Sequence, residues 1–259
     1  MADLSHYNPT SRFTGLAENY AKYRPSYPAA AIDFIITHCE LRSNSLLVDI
    51  GCGTGISSRL FAERGICVIG VDPNDEMRRQ AERTAASLRG PIPAYRKGRA
   101  EETGLPDASA DVVLAAQAFH WFAPEPTLRE FHRILKSGGW VVLMWNERDE
   151  IDACTADYGR VIRSAPDAAA VELPRGKAGD VLLTSSLFVD AARFPFANEQ
   201  PLDEDGLLGR AFSASYAPRE PAAAQAFAAE LHDVFARWQL NGTVTLRYES
   251  SVYVARKPA

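Results

Sequence analysis

The chain has 259 residues, 46% of them hydrophobic and 24% charged, and its net charge is −5. This size and composition suit one α/β domain with a substantial core. No window approaches the roughly 20 apolar residues that a membrane span requires, and the first 30 positions lack the pattern of a secretory signal. There is no run of Lys or Arg long enough to follow a phosphate backbone. We therefore expect a cytoplasmic protein without a membrane or nucleic-acid partner.

The four cysteines form no CxxC pair and no spacing typical of metal ligands. We expect such cysteines to be buried or incidental reduced thiols that form no disulfide. No metal site is predicted.

Apolar runs and amphipathic stretches alternate along the first 146 residues. Short apolar runs that end at Gly, Pro or Asp are typical of buried strands, and the stretches between them predict helices. The predicted helices are 29–38, 57–64, 75–88 and 126–135. The predicted strands are 46–50, 67–71, 94–97, 111–116 and 140–145, with a turn at 137–139.

The alternation ends after Asn146. Residues 147–187 predict a helical insertion, and 189–196 predict a sixth strand. Helices are expected at 207–212 and 222–238, and residues 243–248 with 251–256 predict a final strand, either continuous or interrupted. We divide the predicted single domain into an N-terminal arm and helix (1–36), a cofactor-binding core (37–146), a cap insertion (147–188) and C-terminal strands and helices (189–259).

The strand–helix alternation predicts parallel strands joined by right-handed crossovers. Ligands bind at the carboxyl ends of the strands in such sheets. This rule selects one rim, formed by residues 49–55, 72, 98–101, 117–122 and 145–146.

The strand at 46–50 runs directly into Gly51, Gly53 and Gly55. Glycines permit the dihedral angles of a tight turn and a close approach of the backbone to a ligand, and the following helix directs free N–H groups to the same place. Dinucleotides and adenosyl cofactors both bind such turns. The dinucleotide fingerprint GxGxxG would place its third glycine where this chain has Ile56, which disfavours a pyrophosphate.

Asp72 lies at the end of the second predicted strand. A carboxylate there can accept hydrogen bonds from both ribose hydroxyls, although an Asp before a Pro is also common in turns and helix caps. Combined with the glycine turn, the pattern favours the ribose contact.

Five segments resemble, in order, the motifs of class I S-adenosylmethionine-dependent methyltransferases: 47–55, 71–77, 100–106, 111–122 and 135–140. Residues 13–15, 20–25, 120–122, 213–218 and 243–256 are similar to a small-molecule branch (methyltransferase type 11, trans-aconitate methyltransferase-like). The resemblance implies an α/β fold with a doubly wound, Rossmann-like, mostly parallel seven-stranded sheet, an antiparallel last strand and a helical cap insertion.

The resemblance also implies a site for S-adenosylmethionine, with S-adenosylhomocysteine as the product. The residues implied for the methionine portion of the cofactor are Asp49, Gly51, Cys52, Gly53, Gly55 and Gln117, of which Asp49 receives the ammonium directly or through water. Because a sulfonium is cationic, we expect Tyr20 to close over the cofactor and Arg24 to pair with its carboxylate; the alternative is that Tyr20 only packs within the N-terminal arm. Asp72 holds the ribose, and Pro73, Met77, Ala100 and Glu101 surround the adenine. Many relatives carry an Asp before the Ala at the adenine edge, where this chain has Arg99.

Methyl transfer is an in-line displacement that depends chiefly on alignment and on exclusion of water. His120 is the candidate general base if the acceptor must lose a proton, and Tyr20 is the second candidate catalytic residue. Trp121, Phe122, Trp145 and Asn146 are predicted to form the wall of a pocket for a small-molecule acceptor that is methylated on O or N. We expect a monomer or a homodimer. The alternatives are a nicotinamide-dependent oxidoreductase and a non-catalytic S-adenosylmethionine-binding protein.

Overall fold

A computed structural model of the chain describes residues 15–175 and 177–259. The residues at 13 and 14 that contribute to the resemblance, like the rest of 1–14, lie outside the described residues. Seven strands form one sheet, in the order β3-β2-β1-β4-β5-β7-β6. The strands are β1 (Leu46–Ile50), β2 (Cys67–Val71), β3 (Ala94–Arg96), β4 (Ala110–Ala116), β5 (Leu135–Arg148), β6 (Val189–Leu202) and β7 (Val244–Arg256).

Helices connect the parallel strands and cover both faces of the sheet. A one-turn 3₁₀ segment, Phe119–Trp121, follows β4. The helices are α1 (Ala17–Tyr23), α2 (Ala29–His38), α3 (Ile56–Ala62), α4 (Asp75–Ala85), α5 (Pro124–Ile134), α6 (Ala153–Arg163), α7 (Ala168–Arg175), α8 (Asp180–Leu183), α9 (Glu204–Phe212) and α10 (Pro221–Trp238).

The sheet confirms the predicted fold class. β1 to β5 run parallel, whereas β7 pairs antiparallel with both β5 and β6. The chain moves outward from β1 to β2 and β3, then returns to β4 on the other side of β1. This reversal opens a crevice between the carboxyl ends of β1 and β4, where ligands bind in doubly wound folds.

The predicted turn at 137–139 was wrong in detail, because β5 begins earlier, at Leu135. Ala110 pairs with Leu135, and Val112 pairs with Trp140, so the residues between them form a bulge within the strand. Gly138 supports this bulge with a φ of +73°. The C-terminal strand is continuous, and β6 extends to Leu202, six residues beyond the prediction.

Side chains of each central strand alternate between two apolar layers. Val48 and Ile50 pack on one face of β1, and Leu47 packs with Ile32 and Ile35 of α2 on the other. A third apolar cluster joins α6, α9, α10 and β7 beyond the carboxyl ends of the strands. Among the described residues, no helix has both the length and the apolar character to cross a membrane.

Candidate functional site

A cavity of about 450 Å³ lies at the carboxyl ends of β1, β2 and β4. Its walls combine α1, the glycine turn, the start of α4, the loop after β3, the turn after β4 and one residue of α9. Thirteen predicted site residues line it: Tyr20, Arg24, Gly51, Cys52, Gly53, Asp72, Pro73, Met77, Ala100, Glu101, Gln117, Trp121 and Phe122.

The glycine turn needs its glycines for both conformation and space. Gly51 has a φ of +68°, and a Cβ there would lie 2.7 Å from the Cβ of Ala118 and 2.9 Å from Cζ of Phe122. Gly55 has a φ of +74°, and a Cβ there would collide with the Tyr95 hydroxyl. The backbone at Gly51 therefore reaches the cavity without a side chain in the way. Gly55 itself lies behind the wall.

Asp72 lies at the edge of the turn, with its carboxylate fixed by two backbone donors. Oδ2 accepts a hydrogen bond from Gly53 N at 2.9 Å, and Oδ1 accepts one from Asn74 N at 2.8 Å. Burial raises the pKa of Asp72, while these two bonds lower it. A carboxylate has about four lone-pair positions, so each oxygen retains one for a ligand hydroxyl.

Asp49 lies fully buried behind the turn. Its Oδ2 accepts hydrogen bonds from the hydroxyls of Ser57 at 2.7 Å and Ser58 at 2.6 Å, whereas Oδ1 has no partner. Burial raises the pKa of Asp49 to about 6. Ser57 lines the cavity although Asp49 does not. An incompletely satisfied buried carboxylate of this kind favours a cation nearby.

Positive charge enters the cavity from α1. The Arg24 guanidinium lies over the Tyr20 ring at 4.7 Å and donates to Ser213 O at 3.1 Å. Its Nε is buried without a hydrogen-bond partner. Burial, followed by the charge of Arg210, lowers the pKa of Arg24. A guanidinium held in this way favours an anion.

The far end of the cavity contains Met77, Ala100 and Glu101. Met77 is fixed in the first turn of α4, where its N–H donates to the capping Asn74 Oδ1 at 3.1 Å. Glu101 accepts a hydrogen bond from Ala123 N at 3.1 Å. Arg99 lines the wall, but its side chain is 77% exposed. The wall here is largely apolar around one carboxylate, which fits a planar heterocycle.

The structure does not bring His120, Trp145 and Asn146 into the cavity wall. His120 is buried, and its Nδ1 accepts a hydrogen bond from Trp145 Nε1 at 3.3 Å. The Asn146 amide donates to Ser26 O at 3.1 Å, and its oxygen accepts from Asn198 Nδ2 at 3.0 Å. These contacts fasten the segment after α1 to the end of β5, immediately beneath the wall.

Gln117 connects the wall to this buried layer. It has a φ of +54°, and its backbone N donates to Met144 O at 2.7 Å. The side-chain Nε2 donates to Asn146 O at 3.1 Å. The residue therefore holds the end of β4 against β5 while facing the cavity.

Comparisons with known proteins show what the chain that forms this cavity is similar to. The methyltransferase domain family matches residues 48–143. An uncharacterized methyltransferase of Mycobacterium bovis is 39% identical over 147 residues, 55% of each chain. A solved structure from Anaeromyxobacter dehalogenans, provisionally named a type II methyltransferase, is 27% identical with a TM-score of 0.63, covering 91% of this chain and 98% of that one. The relationship is to methyltransferases, and the family match itself covers residues 48–143.

The aligned segment is only part of each curated relative. An uncharacterized methyltransferase-like protein of Schizosaccharomyces pombe is 35% identical over 155 residues, 57% of this chain and 58% of that one. The chain thus spans little more than half the length of the curated relatives that it matches.

Sequence reasoning missed several wall residues. Ile56 and Ser57 directly follow the glycine motif, and Asn74 lies inside the motif at 71–77, yet none of the three was given a site role. Arg210 had no such signal, because one Arg in a short amphipathic helix is ordinarily a solvated residue. The residues that line the cavity outside the predicted rim and the predicted site residues are Pro25, Tyr27, Ile56, Ser57, Val71, Asn74, Ala116 and Arg210.

The insertion after β5 packs against one side of the cavity. Val171 of α7 clusters with Trp121, and Phe122 and Tyr216 pack against them. Arg148 at the end of β5 donates to both Glu172 oxygens, at 2.9 and 2.7 Å, and the Tyr216 hydroxyl donates to the same carboxylate at 3.0 Å. A buried ion pair therefore fastens α7 beside two wall residues.

Proposed function

We propose that the chain binds S-adenosylmethionine in this cavity and transfers its methyl group to an O or N atom of a small-molecule acceptor. The observation that carries the proposal is the arrangement of charge around the glycine turn. Asp72 lies at the edge of the turn, the incompletely satisfied Asp49 lies behind it, and Arg24 approaches the same cavity from α1. An amino acid joined to a nucleoside requires these three groups.

The residues present fit the cofactor's chemical groups. The unpartnered Asp49 Oδ1 suits the ammonium, acting directly or through water, and Arg24 suits the carboxylate. Asp72 has lone pairs for two ribose hydroxyls, and Met77 and Ala100 provide apolar surface for the adenine. The Tyr20 ring, already paired with a guanidinium, offers a face for a second cation. The family and this set of groups favour methyl transfer over nicotinamide-dependent oxidation.

When bound, S-adenosylmethionine supplies a methyl group on a positively charged sulfur. The chain's contribution is alignment: Gly51 and Gln117 fix the floor, and Trp121 and Phe122 exclude water from the acceptor side. His120 accepts the Trp145 N–H at Nδ1, so a neutral His120 ring carries its proton on Nε2. We therefore propose that His120 holds the wall and is not the general base. The narrower resemblance to the trans-aconitate branch stays a prediction.

Titration calorimetry with S-adenosylmethionine, S-adenosylhomocysteine and NAD tests the cofactor. Both adenosyl compounds are expected to bind, and NAD is not. Asp72→Asn should weaken S-adenosylhomocysteine binding by about 10- to 100-fold, the value of hydrogen bonds to a charged group. Asp233→Asn, at an exposed position on α10, is the matched control. Unchanged affinity in Asp72→Asn would remove Asp72 from the ribose contact, and binding of NAD alone would refute the proposal.

A further inference from the structure

Arg210 places a second buried guanidinium in the cavity wall. It projects from α9, far in sequence from the glycine turn, and is only 6% exposed. The neighbouring Gly209 makes this possible, because a Cβ there would lie 2.5 Å from the ring of Tyr23. The absence of that Cβ lets α1 and α9 pack closely, which brings Arg24 and Arg210 to the same cavity.

No carboxylate among the described residues forms an ion pair with Arg210. Its neighbours are phenols: Tyr248, Tyr158 and Tyr216 lie near enough to interact with its charge. Arg210 Nε is buried without a hydrogen-bond partner. A buried guanidinium with an unsatisfied donor favours a ligand that accepts hydrogen bonds.

When each charged group of the proposed cofactor is paired with a residue of opposite charge, no group of the cofactor is left to pair with Arg210. Asp49 matches the ammonium, and Arg24 matches the carboxylate. Of the two carboxylates in the wall, Asp72 is assigned to the ribose and Glu101 to the adenine edge. The sulfonium and Arg210 then remain as two positive charges. Burying them together is unfavourable unless the second ligand carries negative charge.

We propose that Arg210 forms a subsite for an oxyanion of the methyl acceptor, so that the acceptor is a small organic anion bearing a carboxylate or a phosphate. The inference rests on the proposed function, because it takes the cofactor as the first occupant of the cavity. The planar guanidinium presents paired donors to either oxyanion. Arg24 serves the cofactor and Arg210 serves the acceptor.

Calorimetry on the protein saturated with S-adenosylhomocysteine tests this assignment. The probes are benzoate, succinate and phenyl phosphate, with benzamide and succinamide as neutral counterparts. At least one anion is expected to bind at least tenfold more tightly than the neutral compounds. Comparing the affinities of the two carboxylates with that of phenyl phosphate shows whether the oxyanion is a carboxylate or a phosphate.

Variants assign the binding to one guanidinium. Arg210→Met should weaken anion binding by about 10- to 100-fold and leave S-adenosylhomocysteine affinity within threefold. Arg24→Met should show the opposite pattern. Arg210→Lys, which keeps the charge if Met prevents folding, should give intermediate anion affinity. Arg219→Met, at an exposed position in the following loop, should match the wild type.

Three results would overturn the proposal. Neutral probes could bind as tightly as the anions, or no anion could bind at all. Alternatively, Arg210→Met could weaken S-adenosylhomocysteine binding as much as Arg24→Met does. That result would mean that Arg210 binds the carboxylate of the cofactor. Failure of the wild type to bind S-adenosylhomocysteine would instead refute the proposed function. Anion binding to the free protein that Arg210→Met abolishes would then still support the subsite.

Discussion

Asp49 lowers the stability of the folded state and is expected to raise the affinity for the cofactor. Its carboxylate is fully buried, and two serine hydroxyls satisfy only one of its oxygens. Burial raises its pKa from an ordinary value of 3.8 to about 6. Between these two values the folded state holds more protons than the unfolded state, so this group makes stability fall as the pH rises through the window. At neutral pH the ionised carboxylate costs on the order of 3 kcal/mol.

Cofactor binding should have the opposite dependence on pH. The ammonium of S-adenosylhomocysteine needs an ionised Asp49, so its affinity should fall about tenfold per unit as the pH drops below 6. Asp49→Asn should bind weakly at every pH, without this slope, and should be more stable than the wild type at pH 8. Calorimetry from pH 5 to 8 and urea denaturation measure the two effects. Asp233→Asn should retain the slope, and a flat wild-type profile would contradict the role of Asp49.

At the scale of elements, the contact between α1 and α9 determines whether the cavity has its cationic side. Gly209→Ala should push the Tyr23 ring away, since the new Cβ would lie 2.5 Å from ring atoms. The helix gains about 1 kcal/mol of propensity, so stability should change little. We expect S-adenosylhomocysteine affinity to fall five- to tenfold, because Arg24 follows Tyr23 directly.

Calorimetry and thermal unfolding separate these two quantities for Gly209→Ala. Adding Tyr23→Ala should restore space for the methyl group and recover part of the affinity. Asp205→Ala, at an exposed position of the same helix, should leave the affinity unchanged. An affinity equal to the wild type in Gly209→Ala would show that α1 and α9 act independently on the cavity.

Elements with one dominant local signal could be predicted from the sequence. β1 and β2 are uninterrupted apolar runs, and α4 begins where Asn74 caps its N-terminus, so their starts coincide with the prediction. The carboxyl-end rule then placed Asp72 at the rim. The bulge in β5 was missed because the pairing of Leu135 with Ala110 depends on a neighbouring strand, which glycines in the sequence do not reveal.

Side-chain directions beyond the regular elements could not be predicted. His120 follows β4 as expected, but the 3₁₀ segment turns its ring toward Trp145 instead of the cavity. Beside Arg210, Gly209 leaves space for the Tyr23 ring, a contact between residues 186 positions apart. A sequence pattern reports local preference, whereas both of these outcomes depend on tertiary packing.

For the whole molecule, the cavity depends on parts of the chain outside the matched domain. The family match covers residues 48–143, yet Arg24 and Arg210 lie on either side of it in sequence. β7 connects the two ends: it pairs with β5 beside the crevice and with β6, which leads into α9. The cap helix α7 is fastened to the end of β5 as well. The site is therefore a property of the complete sheet.

A ligand in this cavity should accordingly stabilise distant segments together. S-adenosylhomocysteine at about 100 times its Kd should stabilise the fold by about 2.7 kcal/mol, or about 5–10 °C in Tm for a chain of this length. Hydrogen exchange should show added protection in α1 and α9 together with the glycine turn, because Arg24 and Arg210 close the same space. In Arg24→Met the protection of α1 should disappear, while that of the turn is reduced but present. Protection confined to residues 49–101 would mean that the cofactor site ends at the matched domain and that the flanking helices serve only the acceptor.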